Sequence, residues 1–179
     1  MLVAASVDPD GDEFNWAQSG YGQFGGSISG YASGIHTFSQ FTLVCHAHGG
    51  CGSGTHIRSA FGPAPSGTKY YSNYIKSDGL VYMYAGSTLL DYTNFNPTGD
   101  WTDAKGGQFY GETLDLQTDV PGVASNKCKF DYIQKYDANQ NPVYFSNLGA
   151  AGSAQTRYRH STNDPSTGGL GLQIWTDPL

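Results

Sequence analysis

Charge is what this chain has least of. Only 13% of its 179 residues are Asp, Glu, Lys or Arg, about half the roughly 25% usual in a soluble domain. Lys and Arg number nine against fifteen Asp and Glu, a formal charge of −6. Nine scattered cations cannot neutralise a run of phosphates, so nucleic acid is excluded as a partner. Long apolar runs are also missing. None approaches the roughly 20 residues a membrane helix needs, so no membrane span is expected. The opening Met1-Leu2-Val3-Ala4-Ala5-Ser6-Val7 is apolar, yet it is too short for a signal peptide and has no basic leader. It reads as a strand or as the trimmed start of a longer precursor. Strong helix formers are scarce, and no segment sustains a 3.6-residue apolar stripe, which argues against a helical fold. The chain has no Gly-x-Ser-x-Gly elbow, phosphate loop, dinucleotide fingerprint or HExxH, so no specific catalytic motif directs the functional reading.

What is present is glycine, tyrosine and phenylalanine: 25, 13 and 9 residues respectively. Aromatic and β-branched residues suit a pleated, half-buried surface, and glycine suits the turns between strands. The fold class expected is therefore all-β, a β-sandwich of the lectin-like jelly-roll kind. With no internal repeat and no linker, residues 1–179 read as a single domain whose first 34 residues are loop-rich. The stretch 8–34 is expected to form loops with one or two short strands.

The first clear strand runs Ile35 to His46, and Thr55 to Phe61 follows, closed by the turn cluster Gly62-Pro63-Ala64-Pro65. Lys69 to Ile75 and Leu80 to Ala85 flank Asp78-Gly79, a strong hairpin signal. A second hairpin at Ala85-Gly86-Ser87 leads into Thr88 to Phe95. Gln108 to Leu116 is another strand; Lys127 to Tyr136 is expected to pair with Val143 to Asn147, and Leu170 to Trp175 closes the chain. Turns at roughly 8–12-residue spacing favour a sandwich over an α/β fold.

Four groups of residues carry chemistry. His46 and His48 are two apart, so on an extended strand both imidazoles point one way, and His56 opens the next strand. Together they fit a transition-metal site. Cys45 and Cys51 bracket the loop between the two strands; they fit a local disulfide, or thiolate ligands in a Cys/His zinc site. Cys128 shares a face with Phe130 and Tyr132 and reads as a buried, inert thiol. The run Asp8-Pro9-Asp10-Gly11-Asp12-Glu13 places carboxylates at alternate positions, as at the start of a calcium loop; an acidic turn in water is the competing reading.

The third group is Gln108, Tyr110 and Glu112 on one face of a strand, an amide, a phenol and a carboxylate in a row. Such a floor binds sugar hydroxyls, or supplies a general acid or base if a second carboxylate lies opposite; Asp91 and Asp131 are the candidates. The fourth is the aromatic surplus Tyr70, Tyr71, Tyr74, Tyr82, Tyr84, Tyr92, Phe95 and Trp101. Tyr82 and Tyr84 share a strand face with Tyr92 across the hairpin, an arrangement suited to stacking on sugar rings or to protein contacts.

Three functional classes fit. The favoured one is a secreted, extracellular module that binds carbohydrate or another extracellular polymer through Tyr82, Tyr84, Tyr92, Tyr110 and Trp101. The second is a secreted hydrolase or lyase with Glu112 and Gln108 in its active site. The third is a structural or adhesive subunit that self-associates through tyrosine-rich faces. Calcium or a transition metal is the cofactor consistent with the Asp and His clusters.

Overall fold

In the computed structural model of the chain, the residues described are 2–7, 14–27, 30–46, 53–67, 70–93, 106–109, 122–131, 133–136, 139, 141–144, 157–162 and 171–178. Every regular element among them is a strand, fourteen in all, and none is a helix. The strand pairs with a defined register are antiparallel apart from one parallel bridge, Thr176 to Val123. Among the described residues no helix is long and apolar enough to cross a membrane. The chain divides into two compact units, Met1–Gln108 and Phe109–Leu179.

The first unit holds a five-stranded sheet in the order β4-β3-β2-β1-β8. Its strands are β1 (Leu2–Val7), β2 (Phe14–Phe24), β3 (Gly34–His46), β4 (Ser53–Gly62) and β8 (Gly106–Phe109). Where loops with short strands are expected across 8–34, the structure has the eleven-residue β2, in the middle of the sheet. Gly20 and Gly22 look like turn residues in the sequence, but in the ladder they stand opposite Phe38 and His36. A Cβ on Gly22 would lie 2.9 Å from Cζ of Phe24, so the missing side chain makes room for that ring. Gln18 is buried as well, and its amide donates to the Gln40 side chain at 3.1 Å. The middle of this strand, Ala17-Gln18-Ser19-Gly20, lacks the apolar alternation by which strands are recognised.

A second sheet in this unit contains β5 (Tyr71–Ile75), β6 (Val81–Ala85) and β7 (Thr88–Tyr92) in sequence order. The Asp78-Gly79 signal forms the β5–β6 hairpin as expected. Gly79 has φ +78, its N–H donates to Lys76 O at 2.9 Å, and the Leu80 N–H donates to the Asp78 carboxylate at 2.9 Å. Gly86, with φ +61, opens the two-residue β6–β7 turn, where a residue with a Cβ would be strained.

The two sheets pack face to face in a sandwich-like arrangement. Ala17 of β2 and Phe41 of β3 meet Val81 and Met83 of β6, all essentially without solvent exposure, and Ile75 of β5 packs against them. Burying each large apolar side chain of this cluster stabilises by about 1.5–3 kcal/mol. Two polar contacts fix the relative position of the layers: Asn73 Nδ2 donates to Ala17 O at 3.3 Å, and Arg58 of β4 grips Asp91 of β7.

The second unit has β9 (Gly122–Val123), β10 (Asn126–Phe130), β13 (Tyr158–Ser161) and β14 (Leu172–Thr176) in one sheet, ordered β10-β9-β14-β13, with β10 also paired to β14. A separate hairpin joins β11 (Gln134–Tyr136) to β12 (Pro142–Tyr144). The strand expected from Lys127 to Tyr136 is thus two strands. Its second half pairs with the Val143 region as expected, while its first half pairs with β14. The break falls beside Ile133, which turns into a core of Ile133, Leu172 and Ile174. Cys128 and Phe130 pack together against that core, as their shared strand face implies.

Candidate functional site

Strand alternation divides the three-stranded sheet into two unlike faces. Ile75, Val81 and Met83 face the core. The other parity carries Tyr74 on β5 and Lys76 just after it, Tyr82 and Tyr84 on β6, and Tyr92 on β7. The registers Tyr74↔Tyr82 and Tyr82↔Tyr92 line these residues up across the strands. Their rings lie nearly parallel in a ladder. Tyr74 and Tyr84 are 5.4 Å apart at 7°, Tyr84 and Tyr82 6.5 Å at 22°, and Tyr82 and Tyr92 5.4 Å at 17°. Near-parallel aromatic pairs at such spacing stabilise one another by about 0.5–1.5 kcal/mol each beyond their burial.

A lysine and an aspartate from the hairpin loop fasten the hydroxyl ends. Lys76 Nζ donates to the Tyr84 hydroxyl oxygen at 2.9 Å and sits 3.8 Å from the centre of the Tyr82 ring. Tyr74 and Tyr84 also contribute ring faces to the ammonium, at 5.8 and 5.5 Å. Tyr82 in turn donates its hydroxyl proton to Asp78 Oδ2 at 2.8 Å. The acidities follow these bonds. Hydrogen bonds from Lys76 and then Tyr74 pull the Tyr84 phenol below its ordinary range, and the bond to Tyr84 holds Lys76 above its own. The Leu80 backbone N–H, followed by the Tyr82 hydroxyl, lowers the Asp78 carboxyl, while the bond to Asp78 raises the Tyr82 phenol.

At the β7 end, the Arg58 guanidinium lies 5.1 Å from the Phe41 ring centre and 5.8 Å from that of Tyr92. It donates to both oxygens of Asp91, at 2.8 and 2.5 Å, and to the Tyr92 carbonyl. Asp91, considered above as a second catalytic carboxylate, is therefore engaged by Arg58, with only 11% of its side chain exposed. Asp131, the other one considered, has Oδ1 buried and unpartnered among the described residues.

Of the residues proposed for ligand binding, Tyr82, Tyr84 and Tyr92 come together on this face. Tyr110 and Trp101 lie outside the described residues, as does Glu112. Gln108 belongs to β8. His46 pairs with Ser53 and His56 with Leu43, so these two histidines occupy ladder positions of opposite parity; His48 and Cys51 lie outside the described residues. Cys45 pairs with Gly54 at the end of the same ladder. Asp8, Asp10 and Asp12 also fall outside the described residues. Among those described, no three His, Cys, Asp or Glu side chains converge as a metal site would, and no disulfide is present.

Sequence reasoning missed Lys76 and Asp78. Both read only as turn residues, yet the Asp78-Gly79 turn, once placed, brings both side chains back over the tyrosines beside it. Comparison of the chain with protein-family models, curated proteins and solved structures returned no match.

Proposed function

We propose that the outer face of the β5–β6–β7 sheet binds carbohydrate, in a module that works outside the cell. The observation that carries this reading is the ladder Tyr74–Tyr84–Tyr82–Tyr92 with its hydroxyls held by Lys76 and Asp78. Sugar rings offer an apolar face and a hydroxyl rim, and this surface offers aromatic rings beside a phenol, an ammonium and a carboxylate. Tyrosine contributes contact area at low conformational cost. Rings already held by neighbours and by hydrogen bonds lose little further freedom on binding. Tyr92, 42% exposed, is the ring of the ladder most open to a ligand. The reading extends to a lectin-like jelly roll, for which the layering of the five-stranded and three-stranded sheets is the support. The strand order of the whole chain, determined by crystallography, tests that extension.

The function is tested by depletion against a panel of soluble and insoluble polysaccharides, with reducing ends assayed in the same tubes. Retention on one glycan without new reducing ends is expected. Tyr92→Ala and Tyr82→Ala should weaken retention about tenfold, the loss of roughly 1–2 kcal/mol of stacking, with unfolding midpoints used to check the fold. New reducing ends would favour a hydrolase and put Glu112→Gln on trial. Absence of retention on every glycan would refute the carbohydrate reading.

A further inference from the structure

We propose that Tyr84 is a covalent modification site, whose phenol oxygen accepts a tetrahedral oxyanion group, sulfuryl or phosphoryl, from an activated donor. The argument rests on what converges on that oxygen. The Lys76 ammonium donates to it at 2.9 Å, beside the Tyr74 ring that stacks on the ring of Tyr84. An ammonium donor on a phenol oxygen favours the phenolate, the form that attacks an electrophile. The Lys76–Tyr84 bond depresses the Tyr84 phenol and raises the Lys76 ammonium, so both groups are biased toward their charged forms.

The lysine also serves the product. A sulfate or phosphate ester on this oxygen would bring its negative charge against an ammonium already in place, forming a charge-assisted contact. Tyr82 shows the contrast, because its hydroxyl donates to Asp78, whose charge would repel an added anion. In the transfer, the Tyr84 oxygen forms a bond to sulfur or phosphorus as the bond to the donor's leaving group breaks. The leaving group departs with the bonding electron pair, and the phenolic proton passes to solvent. This inference needs no glycan on the surface, so it stands or falls independently of the carbohydrate reading.

The test uses the whole chain and an aryl sulfonyl fluoride, which labels a phenol oxygen with release of fluoride. Modified tyrosines are quantified by peptide mass spectrometry over a time course. Exposure alone would rank Tyr70, at 68%, and Tyr144, at 60%, ahead of the ladder tyrosines. The expected result is that Tyr84 labels several-fold faster than either. Lys76→Met should bring Tyr84 down to the rate of the others, while Lys76→Arg should retain part of the preference. Labelling in order of exposure, or a Tyr84 rate untouched by Lys76→Met, would overturn the proposal. An unfolding midpoint and Tyr70 labelling in each variant separate loss of the contact from loss of the fold. Parallel incubations with a sulfuryl donor and a phosphoryl donor, each with a tyrosine-modifying transferase, distinguish the two groups; modification of Tyr84 by neither would also count against it.

Discussion

Replacing Tyr71 by phenylalanine should stabilise the protein, and the gain should widen at alkaline pH. Tyr71 lies in β5 opposite Ala85, on the parity of Asn73 and Ile75, which face the five-stranded sheet. Its hydroxyl is buried and has no hydrogen-bond partner among the described residues. Leaving a buried hydroxyl unpaired costs about 1–3 kcal/mol, and the lower end applies because the side chain is only half-buried. Burial also pushes the phenol up from 10.0 to about 12. In the unfolded chain this phenol ionises near 10.0, whereas the folded protein holds its proton up to about 12. Stability is therefore complete below 10.0 and is lost as pH rises through that interval, because the unfolded state releases a proton that the folded state keeps. A two-unit shift would be worth about 2.7 kcal/mol in a fully buried group; solvent access to half the side chain reduces it to about 1 kcal/mol. The Tyr71→Phe variant has neither the unpaired hydroxyl nor the titration. Urea unfolding followed by circular dichroism, with both proteins stepped from neutral pH to the top of the interval, should show a gain of about 1 kcal/mol that grows to about 2 kcal/mol. A less stable Tyr71→Phe at neutral pH would mean that the hydroxyl is paired. A difference that stays constant through the alkaline range would mean that burial does not resist its ionisation.

Four further outcomes test the packing. Arg58→Met should cost about 2–3 kcal/mol in the same unfolding experiment, since it strands the nearly buried Asp91 carboxylate; adding Asp91→Leu should recover most of that loss. Gly122→Ala should cost at least about 2 kcal/mol and loosen amide-exchange protection in β9, β10 and β14. Its φ is +97, and a Cβ there would meet Cys128 N at 2.5 Å and Ile174 O at 2.7 Å, both backbone atoms that cannot give way. Met83→Ala should cost about 2–5 kcal/mol through the cavity it opens. Leu89→Ala, at a position 42% exposed on the same sheet, should cost less than about 1 kcal/mol.

How much of this was legible in the sequence depended on which physical signal each segment carried. The strands β3 to β7 announce themselves by β-branched and aromatic runs and by glycines whose positive φ the turns require. The tyrosine face was legible for the same reason, since period-two alternation puts Tyr82 and Tyr84 together and the short Gly86 turn brings Tyr92 beside them. The central strand β2 was not legible. Its inner positions are Ala17 and Ser19, small residues that let the layers approach, and its Gly22 leaves room for a neighbouring ring. Such residues look like loop in isolation and become strand only through their partners. The fastening of the hydroxyls by Lys76 and Asp78 was equally hidden, because it depends on the path of a hairpin loop rather than on any spacing within a strand.

The tyrosine face and the core beneath it are two consequences of a single register, and one irregularity lets both exist. From Tyr82↔Tyr92 and Met83↔Asp91 the pairing jumps to Tyr84↔Leu89, leaving Leu90 as an extra residue on β7. In a bulge of this kind two consecutive residues turn toward the same side of the sheet. Here Asp91 reaches Arg58 on β4, and Leu90 also turns inward, its Cδ2 3.9 Å from where a Cβ on Gly62 would stand. If β7 kept Leu90 but alternated regularly without the bulge, the strand beyond this point would exchange its faces. Leu89 would then leave the tyrosine side, and either Asp91 or Leu90 would lose its place against the five-stranded sheet. The bulge thus lets Tyr92 remain in line with Tyr82 while the same strand contributes both an apolar and an ionic contact to the layer below. A slip of one residue in the β6–β7 pairing would turn Tyr92 to the core side occupied by Val81 and Met83 and leave Asp91 among the tyrosines. The geometry of the outer surface is therefore held by the same burial energy that holds the two sheets together.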